Sequence, residues 1–225
     1  MKNLVFLLAI IIHITSLAQS ENNIELEKQK LKQALAYGDK IIAANSMYNI
    51  IALEGPQSNY KDSLAYLYFN GGNYVSTFLV TNDIIKNKPN NIELLEMNAI
   101  SLESMGVLDK ATEAYNNLFL KTNNNFHAYK LAGLQLALNK FNEAFVSIKK
   151  ADALPDTGTL QVRFQVNKNY SQNVKLKPAI AYIEGVINMN LKKDAEAKKS
   201  FERAIALFPD FVLAKSRLET LNKQE

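Results

Sequence analysis

The sequence contains no cysteine and no tryptophan, and only two of its 225 residues are histidine. The absence of cysteine excludes disulfide bonds, thiolate zinc sites, cysteine nucleophiles and lipid attachment through an N-terminal cysteine. His13 lies in the N-terminal apolar run described below, which leaves His127 as the only candidate for imidazole chemistry. A lone histidine without cysteine does not form the usual zinc sites or catalytic pairs. We therefore expect no enzyme, no cofactor and no metal, and interpret His127 as a polar residue at a helix start.

Arginine is also scarce, since the only ones are Arg163, Arg203 and Arg217. The 26 lysines and arginines exceed the 22 aspartates and glutamates, so the formal net charge is +4. Proteins that bind nucleic acid rely on arginine for bidentate contacts to bases and phosphates, and no dense basic run appears here. The mild lysine excess is therefore interpreted as a solvated surface, and no nucleic-acid partner is expected.

Glycine and proline are few as well, with 8 and 5 residues. Hydrophobic residues make up 48% of the chain and charged residues 21%. This composition is typical of a folded protein and argues against extensive disorder. Scarce helix breakers indicate long helices joined by short turns.

The longest apolar run lies at the N-terminus. It spans residues 4–12, follows Lys2, and is followed by small residues at Ser16 and Ala18. This pattern predicts a signal peptide over residues 1–18, cleaved between Ala18 and Gln19. A retained membrane anchor is the alternative, but the run is much shorter than the roughly 20 residues that span a bilayer. We expect an exported chain, periplasmic or secreted, that is soluble and has no transmembrane segment after cleavage.

Residues 95–118 carry the clearest internal pattern. Leu95, Ala99 and Leu102 precede a break at Gly106, and Ala111, Tyr115 and Leu118 follow it. Residues three and four positions apart share one face of a helix, so this spacing predicts two amphipathic helices joined by a tight turn. Small residues at 99 and 111 would let the two helix backbones approach closely.

This layout resembles the tetratricopeptide repeat (TPR), a helix-turn-helix unit of 34 residues. Similar units are assigned at about 24–56, 58–89, 92–123, 126–155 and 178–209, where the last has Gly185, Ala197, Phe201 and Pro209 at the family's spacing. The resemblance implies an all-α, right-handed superhelical solenoid. Residues 210–222 are assigned as a C-terminal capping helix.

Residues 156–177 interrupt the array. Leu160, Val162 and Phe164 alternate with polar residues, which favours extended chain and a hairpin that turns near 169–171. A helix that pairs Leu160 with Phe164 is the alternative. Because the repeat spacing resumes after the segment, we expect it to be an insertion that the array does not need.

The resemblance implies a function in binding a protein or peptide, because the first helices of TPR units line a concave groove. We expect a non-catalytic scaffold whose groove prefers a basic segment, because three glutamates lie there. The alternative is a structural subunit of an envelope or secretion complex that binds through the convex face or the insertion. The groove residues implied by the TPR geometry are Asn59, Asp62, Tyr66, Phe69, Glu93, Glu96, Ile100, Glu103, Lys130 and Leu134.

Overall fold

The structure, a computed structural model, describes residues 22–156 and 158–223. The predicted signal peptide, residues 1–18, lies outside this range. The described residues form eleven helices and one antiparallel β-hairpin, which confirms the predicted all-α repeat fold with a hairpin-like segment. In chain order the elements are α1 (22–36), α2 (Lys40–Glu54), α3 (Tyr60–Asn70), α4 (Tyr74–Ile85), α5 (Ile92–Ser104), α6 (Leu108–Thr122), α7 (Asn125–Ala137), α8 (Phe141–Ala153), β1 (Gln161–Asn167), β2 (Tyr170–Lys175), α9 (Leu176–Asn190), α10 (Asp194–Leu207) and α11 (Val212–Asn222).

The same tight turn joins the two helices of each pair. Gly38, Gly72 and Gly106 take left-handed backbone, with φ of 72°, 71° and 73°, and lie 34 residues apart. The residue after each glycine donates its backbone N–H to a carbonyl five residues earlier, as Asp39 does to Ala34 at 2.8 Å. This bond satisfies a carbonyl that the helix end leaves unpaired, and glycine adopts the required φ without strain. The repeat length is therefore a property of the backbone as well as of the side-chain pattern.

The chain consists of two compact units, divided between Ser101 and Leu102 inside α5. Unit 1, described from residue 22 to Ser101, has a core on α1, α2 and α3 that includes Leu31, Met47, Ile50 and Leu64. A second cluster joins α3, α4 and α5 through Ala65, Ile84, Leu94 and Met97. The division into five repeat units remains an interpretation.

Polar residues replace part of the expected apolar pattern in unit 1. Thr77 and Thr81 are fully buried in α4, at positions where the TPR pattern prefers Ala and an aromatic residue. Each threonine hydroxyl donates to a carbonyl in the preceding turn, and the amide of buried Asn98 donates to Thr81 Oγ1 at 2.9 Å. These bonds offset the cost of burying hydroxyls in the core.

Unit 2, from Leu102 onward, contains a large core cluster in which the hairpin takes part. β1 and β2 pair in antiparallel register, with Val162 opposite Val174 and Phe164 opposite Gln172. Val174 is fully buried, and the ring of Phe164 packs edge-on against Phe211, with a centroid distance of 5.2 Å. The helical alternative for Leu160 and Phe164 is wrong, since period-two alternation gives β1 one face on the core.

Two further expectations for this segment need correction. The turn lies at residues 168–169, slightly before the predicted position, and α9 begins at Leu176, inside the predicted insertion. Whether the array needs the segment stays a prediction, but Leu176 and Val174 belong to the buried core of unit 2, which argues against a dispensable insertion. Removing the hairpin would expose that core.

Candidate partner-binding face

Tyr66 and Glu93 bring α3 and α5 together on one side of unit 1. The Tyr66 side chain remains 39% exposed, and its hydroxyl donates a hydrogen bond to Glu93 Oε2. This bond to Glu93 raises the pKa of the Tyr66 phenol, so the ring stays neutral well above physiological pH. An exposed aromatic ring is thus held in one orientation by a bond at its tip.

Phe69 lies one helical turn after Tyr66. It is half-buried, packs against the cluster of Ala65 and Ile84, and meets the ring of Tyr74 edge-on with a centroid distance of 6.3 Å. One part of its ring therefore packs against the core, and the other part is exposed to solvent. Together, Tyr66 and Phe69 form a short aromatic strip on α3.

Polar groups surround this strip. Lys88 Nζ donates to Asp62 Oδ2 at 2.7 Å, and Asn59 lies exposed at the start of α3, where its side chain makes no capping bond. Glu96 and Ile100 lie half-buried on α5. Seven of the ten predicted residues belong to unit 1, and we call this set the α3/α5 face: Asn59, Asp62, Tyr66, Phe69, Glu93, Glu96 and Ile100.

The other three predicted residues belong to unit 2. Glu103 accepts hydrogen bonds from Lys130 Nζ at 2.5 Å and from the Tyr115 hydroxyl at 3.1 Å. Leu134 is only 5% exposed, so it packs inside the unit instead of lining a groove. The reason is that α7 packs against α6, α8 and α9, which leaves little of its surface open. Leu134 is therefore removed from the predicted site.

The preference for a basic partner loses part of its support. It rested on the negative charge of Glu93, Glu96 and Glu103. In unit 1, Asp62 is paired with Lys88, and Glu93 accepts the bond from Tyr66. In unit 2, Glu103 is paired with Lys130. Pairing with Lys88 and Lys130 reduces the local negative field, so the preference for a basic partner stays a prediction.

Sequence reasoning missed a cavity of about 450 Å³ between α2 and α3. Ile41, which is 81% exposed, and the partly exposed Tyr48 lie at its edge. The hydroxyl of Tyr68 donates to that of Tyr48 at 3.1 Å, and burial followed by this bond raises the pKa of Tyr68 to about 12. The sequence signal was the surplus of apolar residues on α2, which exceeds what one buried stripe needs.

The remaining sequence candidate is the histidine at position 127. His127 is buried near the start of α7, with Nδ1 2.7 Å from Thr122 Oγ1. Within residues 22–156 and 158–223, no three His, Asp or Glu side chains cluster in a way that could hold a metal ion. In the same part of the chain, no helix has the length and apolar character needed to cross a membrane.

Solved structures share the helix-pair architecture. No family model and no curated protein matches the sequence. YrrB, described as a TPR protein with an unusual peptide-binding site, superposes with a TM-score of 0.64 at 13% identity, over 83% of this chain and 87% of YrrB. The chain has a TPR fold.

MamA structures give the same result. MamA from Desulfovibrio magneticus RS-1, from residue 41 to its end, has a TM-score of 0.62 at 13% identity, with 84% of this chain and 97% of that one covered. Another MamA structure has a TM-score of 0.59 at 15% identity, over 72% and 79% of the two chains. At these identities the likeness shows the TPR fold alone.

Proposed function

We propose that the chain is an exported, non-catalytic TPR module that binds a segment of another protein through the α3/α5 face. The observation that carries the proposal is the exposed ring of Tyr66, held by its bond to Glu93 beside the half-buried Phe69. The peptide-binding site of YrrB, a protein with the same fold, supports a similar use here.

The aromatic strip suits a binding role for a physical reason. A ring that is already fixed loses little conformational freedom on binding, while it offers a large apolar contact area. Aromatic residues with such support are enriched among those that dominate binding energy. The proposed guest is an extended or helical segment that places an apolar side chain over Tyr66 and Phe69, with Glu96 and Ile100 at the edge.

The export part of the proposal rests on the sequence of residues 1–18. A charged start, an apolar run and small residues at 16 and 18 are what a signal peptidase recognises. Intact-mass measurement of the protein recovered from cell fractions tests this directly. We expect a chain that begins at Gln19 outside the cytoplasm, and a full-length chain that retains Met1 would contradict export with cleavage.

Site-specific photo-crosslinking tests the binding face. A benzophenone amino acid at position 66 should crosslink a partner in intact cells, whereas the same group at Tyr37, another exposed tyrosine of unit 1, should not. Tyr66→Ala should weaken capture of that partner by about 2 kcal/mol if the ring is a binding hot spot. Tyr66→Phe should weaken it less, because only the bond to Glu93 is lost. Crosslinks at 37 but not at 66 would refute the face.

The alternative role as a structural subunit also has an observation in its favour. Ile41 on α2 and Val75 and Leu79 on α4 are large apolar side chains, each more than half exposed. A benzophenone group at position 79 therefore serves as a second probe. Crosslinks from 79 without crosslinks from 66 would favour this alternative over the α3/α5 face.

A further inference from the structure

The outer edge of β1 carries backbone groups that the hairpin does not use. In an antiparallel pair, residues that exchange hydrogen bonds alternate with residues that do not. The N–H of Leu176 donates to the carbonyl of Leu160 at 3.1 Å, and the register places 162 opposite 174 and 164 opposite 172 as the next bonded pairs. The N–H and C=O groups of Gln161, Arg163 and Gln165 therefore point away from β2.

The strand that carries this edge is held firmly by the core of unit 2. Phe164 meets the rings of Tyr182 and Phe211 at centroid distances of 5.4 and 5.2 Å. On β2, the Gln172 amide donates to the carbonyl of Asp210 at 2.7 Å and its Oε1 accepts from the N–H of Val212 at 3.0 Å. A fixed edge loses little freedom when another strand adds to it.

The charge of the hairpin restricts what can pair with it. Residues 161–175 contain three cationic side chains, Arg163, Lys168 and Lys175, and no carboxylate. All three are exposed. A second copy of β1 would bring like charges together, which opposes self-pairing, as basic residues on strand edges commonly do. An acidic strand would instead meet opposite charges on the face that points to solvent.

We propose that the outer edge of β1 binds an extended acidic segment of another protein by strand addition. The added strand exchanges backbone hydrogen bonds with Gln161, Arg163 and Gln165, and it ends where the register shifts between Gln165 and Asn167. Carboxylates of the guest lie near Arg163, which is on β1. This surface belongs to unit 2 and does not depend on the α3/α5 face.

Titration of the full chain with a synthetic peptide tests the proposal. The probe is a blocked peptide in which Glu alternates with Thr and Val, followed by amide NMR. We expect the amides of 161, 163 and 165 to shift and to gain protection from hydrogen exchange. A peptide with Lys in place of Glu, and one N-methylated along its pairing edge, should each bind about tenfold more weakly, since charge or hydrogen bonds are lost.

A matched pair of proline variants separates strand addition from general binding. Arg163 and Asn173 lie opposite each other and are both exposed, but their N–H groups point to opposite edges of the hairpin. Arg163→Pro should weaken binding about tenfold because it removes an N–H that the guest needs, whereas Asn173→Pro should retain binding. Arg163→Gln keeps the N–H and should weaken binding about threefold, mainly at low salt.

Four results would overturn the proposal. The first is no shift at 161, 163 and 165 at millimolar peptide in the wild-type chain. The second is equal binding by the Arg163→Pro and Asn173→Pro variants, each shown by its melting curve to be folded. The third is a response confined to 171, 173 and 175, which would mean that β2 provides the edge. Equal binding of the Glu peptide and an oligonucleotide of the same charge would also contradict recognition of a strand.

Discussion

Replacing Gly185 with alanine tests the closest helix contact in unit 2. Gly185 lies in α9, and a Cβ built on it would lie 2.5 Å from Cε1, 2.7 Å from Cδ1 and 2.8 Å from Cζ of Phe201. Carbon atoms prefer separations of about 3.5–4.0 Å, so these contacts are strongly repulsive. Phe201 is fully buried, and its ring packs against that of Tyr182 with a centroid distance of 5.8 Å.

The magnitude follows from two opposing effects. Overpacking a core costs about 1–3 kcal/mol, whereas alanine is favoured over glycine inside a helix by about 1 kcal/mol. Gly185→Ala should therefore lower the free energy of unfolding by roughly 0–2 kcal/mol. Gly133 in α7 is the matched control, because a Cβ there meets no atom within 4 Å. Gly133→Ala should raise stability by about 0.5–1 kcal/mol.

The difference between the two variants isolates the clash and should be about 1–3 kcal/mol. Both glycines lie in unit 2, so urea unfolding of the full chain, followed by circular dichroism, monitors the same part of the chain in each case. Adding Phe201→Leu to Gly185→Ala should cost less than the sum of the two single changes, since the smaller side chain makes room. If Gly185→Ala stabilised the protein as much as Gly133→Ala, the reasoning would be refuted.

Contacts elsewhere give three further predictions. Arg203→Leu should lower the free energy of unfolding, measured in urea, by about 2–3 kcal/mol. The reason is that Nη1 of Arg203 lies 2.6 Å from the carboxylate of Asp152 and Nη2 lies 2.6 Å from that of Glu184. Arg203→Lys should recover only part of the lost stability. The pKa of Tyr68 is raised from 10.0 to about 12. The protonated phenol therefore stabilises the fold fully below pH 10, and this stabilisation is lost as the pH rises through about 12. Between about pH 10 and 12, the melting temperature of Tyr68→Phe should fall less than that of the wild type. Equal falls in the two proteins would contradict this. Phe164→Ala should lower the free energy of unfolding, measured in urea, by about 2–3 kcal/mol. Arg163→Ala, at an exposed position, should lower it by less than about 0.5 kcal/mol. Equal effects would place Phe164 outside the core.

The helix pairs were predictable because one turn recurs along the chain. Gly38, Gly72 and Gly106 mark it in the sequence, and the left-handed backbone explains why glycine stands there. The corresponding turns at Asn139 and Lys192 have φ of 59° and 57° without glycine, so composition marks them less clearly. Period and turn chemistry together specify which helices pair, even where individual side chains depart from the TPR pattern.

The exposed or buried state of single residues on these helices was harder to predict. Leu134 fits the spacing of a groove residue, but helices on several sides of α7 bury it. In α11 the buried side chains are Ala214 and Leu221, whereas Val212 is exposed. A helical period gives the angle between side chains, but the number of neighbouring helices decides how wide the covered stripe is.

Which polar and charged side chains contact each other could not be predicted from the sequence either. Asp62 and Lys88 lie 26 residues apart, and Tyr66 and Glu93 lie 27 apart, so no local spacing rule relates them. Their contacts arise because the fold places α3 beside α5 and beside the segment between α4 and α5 that carries Lys88, and the ion pair reduces the negative field that the sequence suggested. The aromatic part of the predicted face depends only on the side of α3 that Tyr66 and Phe69 share, and its placement therefore survives the correction of the charges.

The hairpin shows how a correct local prediction can leave the packing of a segment unpredicted. Alternation at Val162 and Phe164 correctly indicated a strand, and the interrupted repeat spacing suggested an insertion outside the core. One face of an isolated two-stranded hairpin cannot bury its apolar side chains within itself, so it must pack on something. Here it packs on α9 and on Phe211, and the bonds from Gln172 to residues 210 and 212 hold the start of α11 beneath it. The same alternation that buries one face leaves the cationic side chains on the other, which is why a segment that interrupts the repeat can serve both the core and a partner.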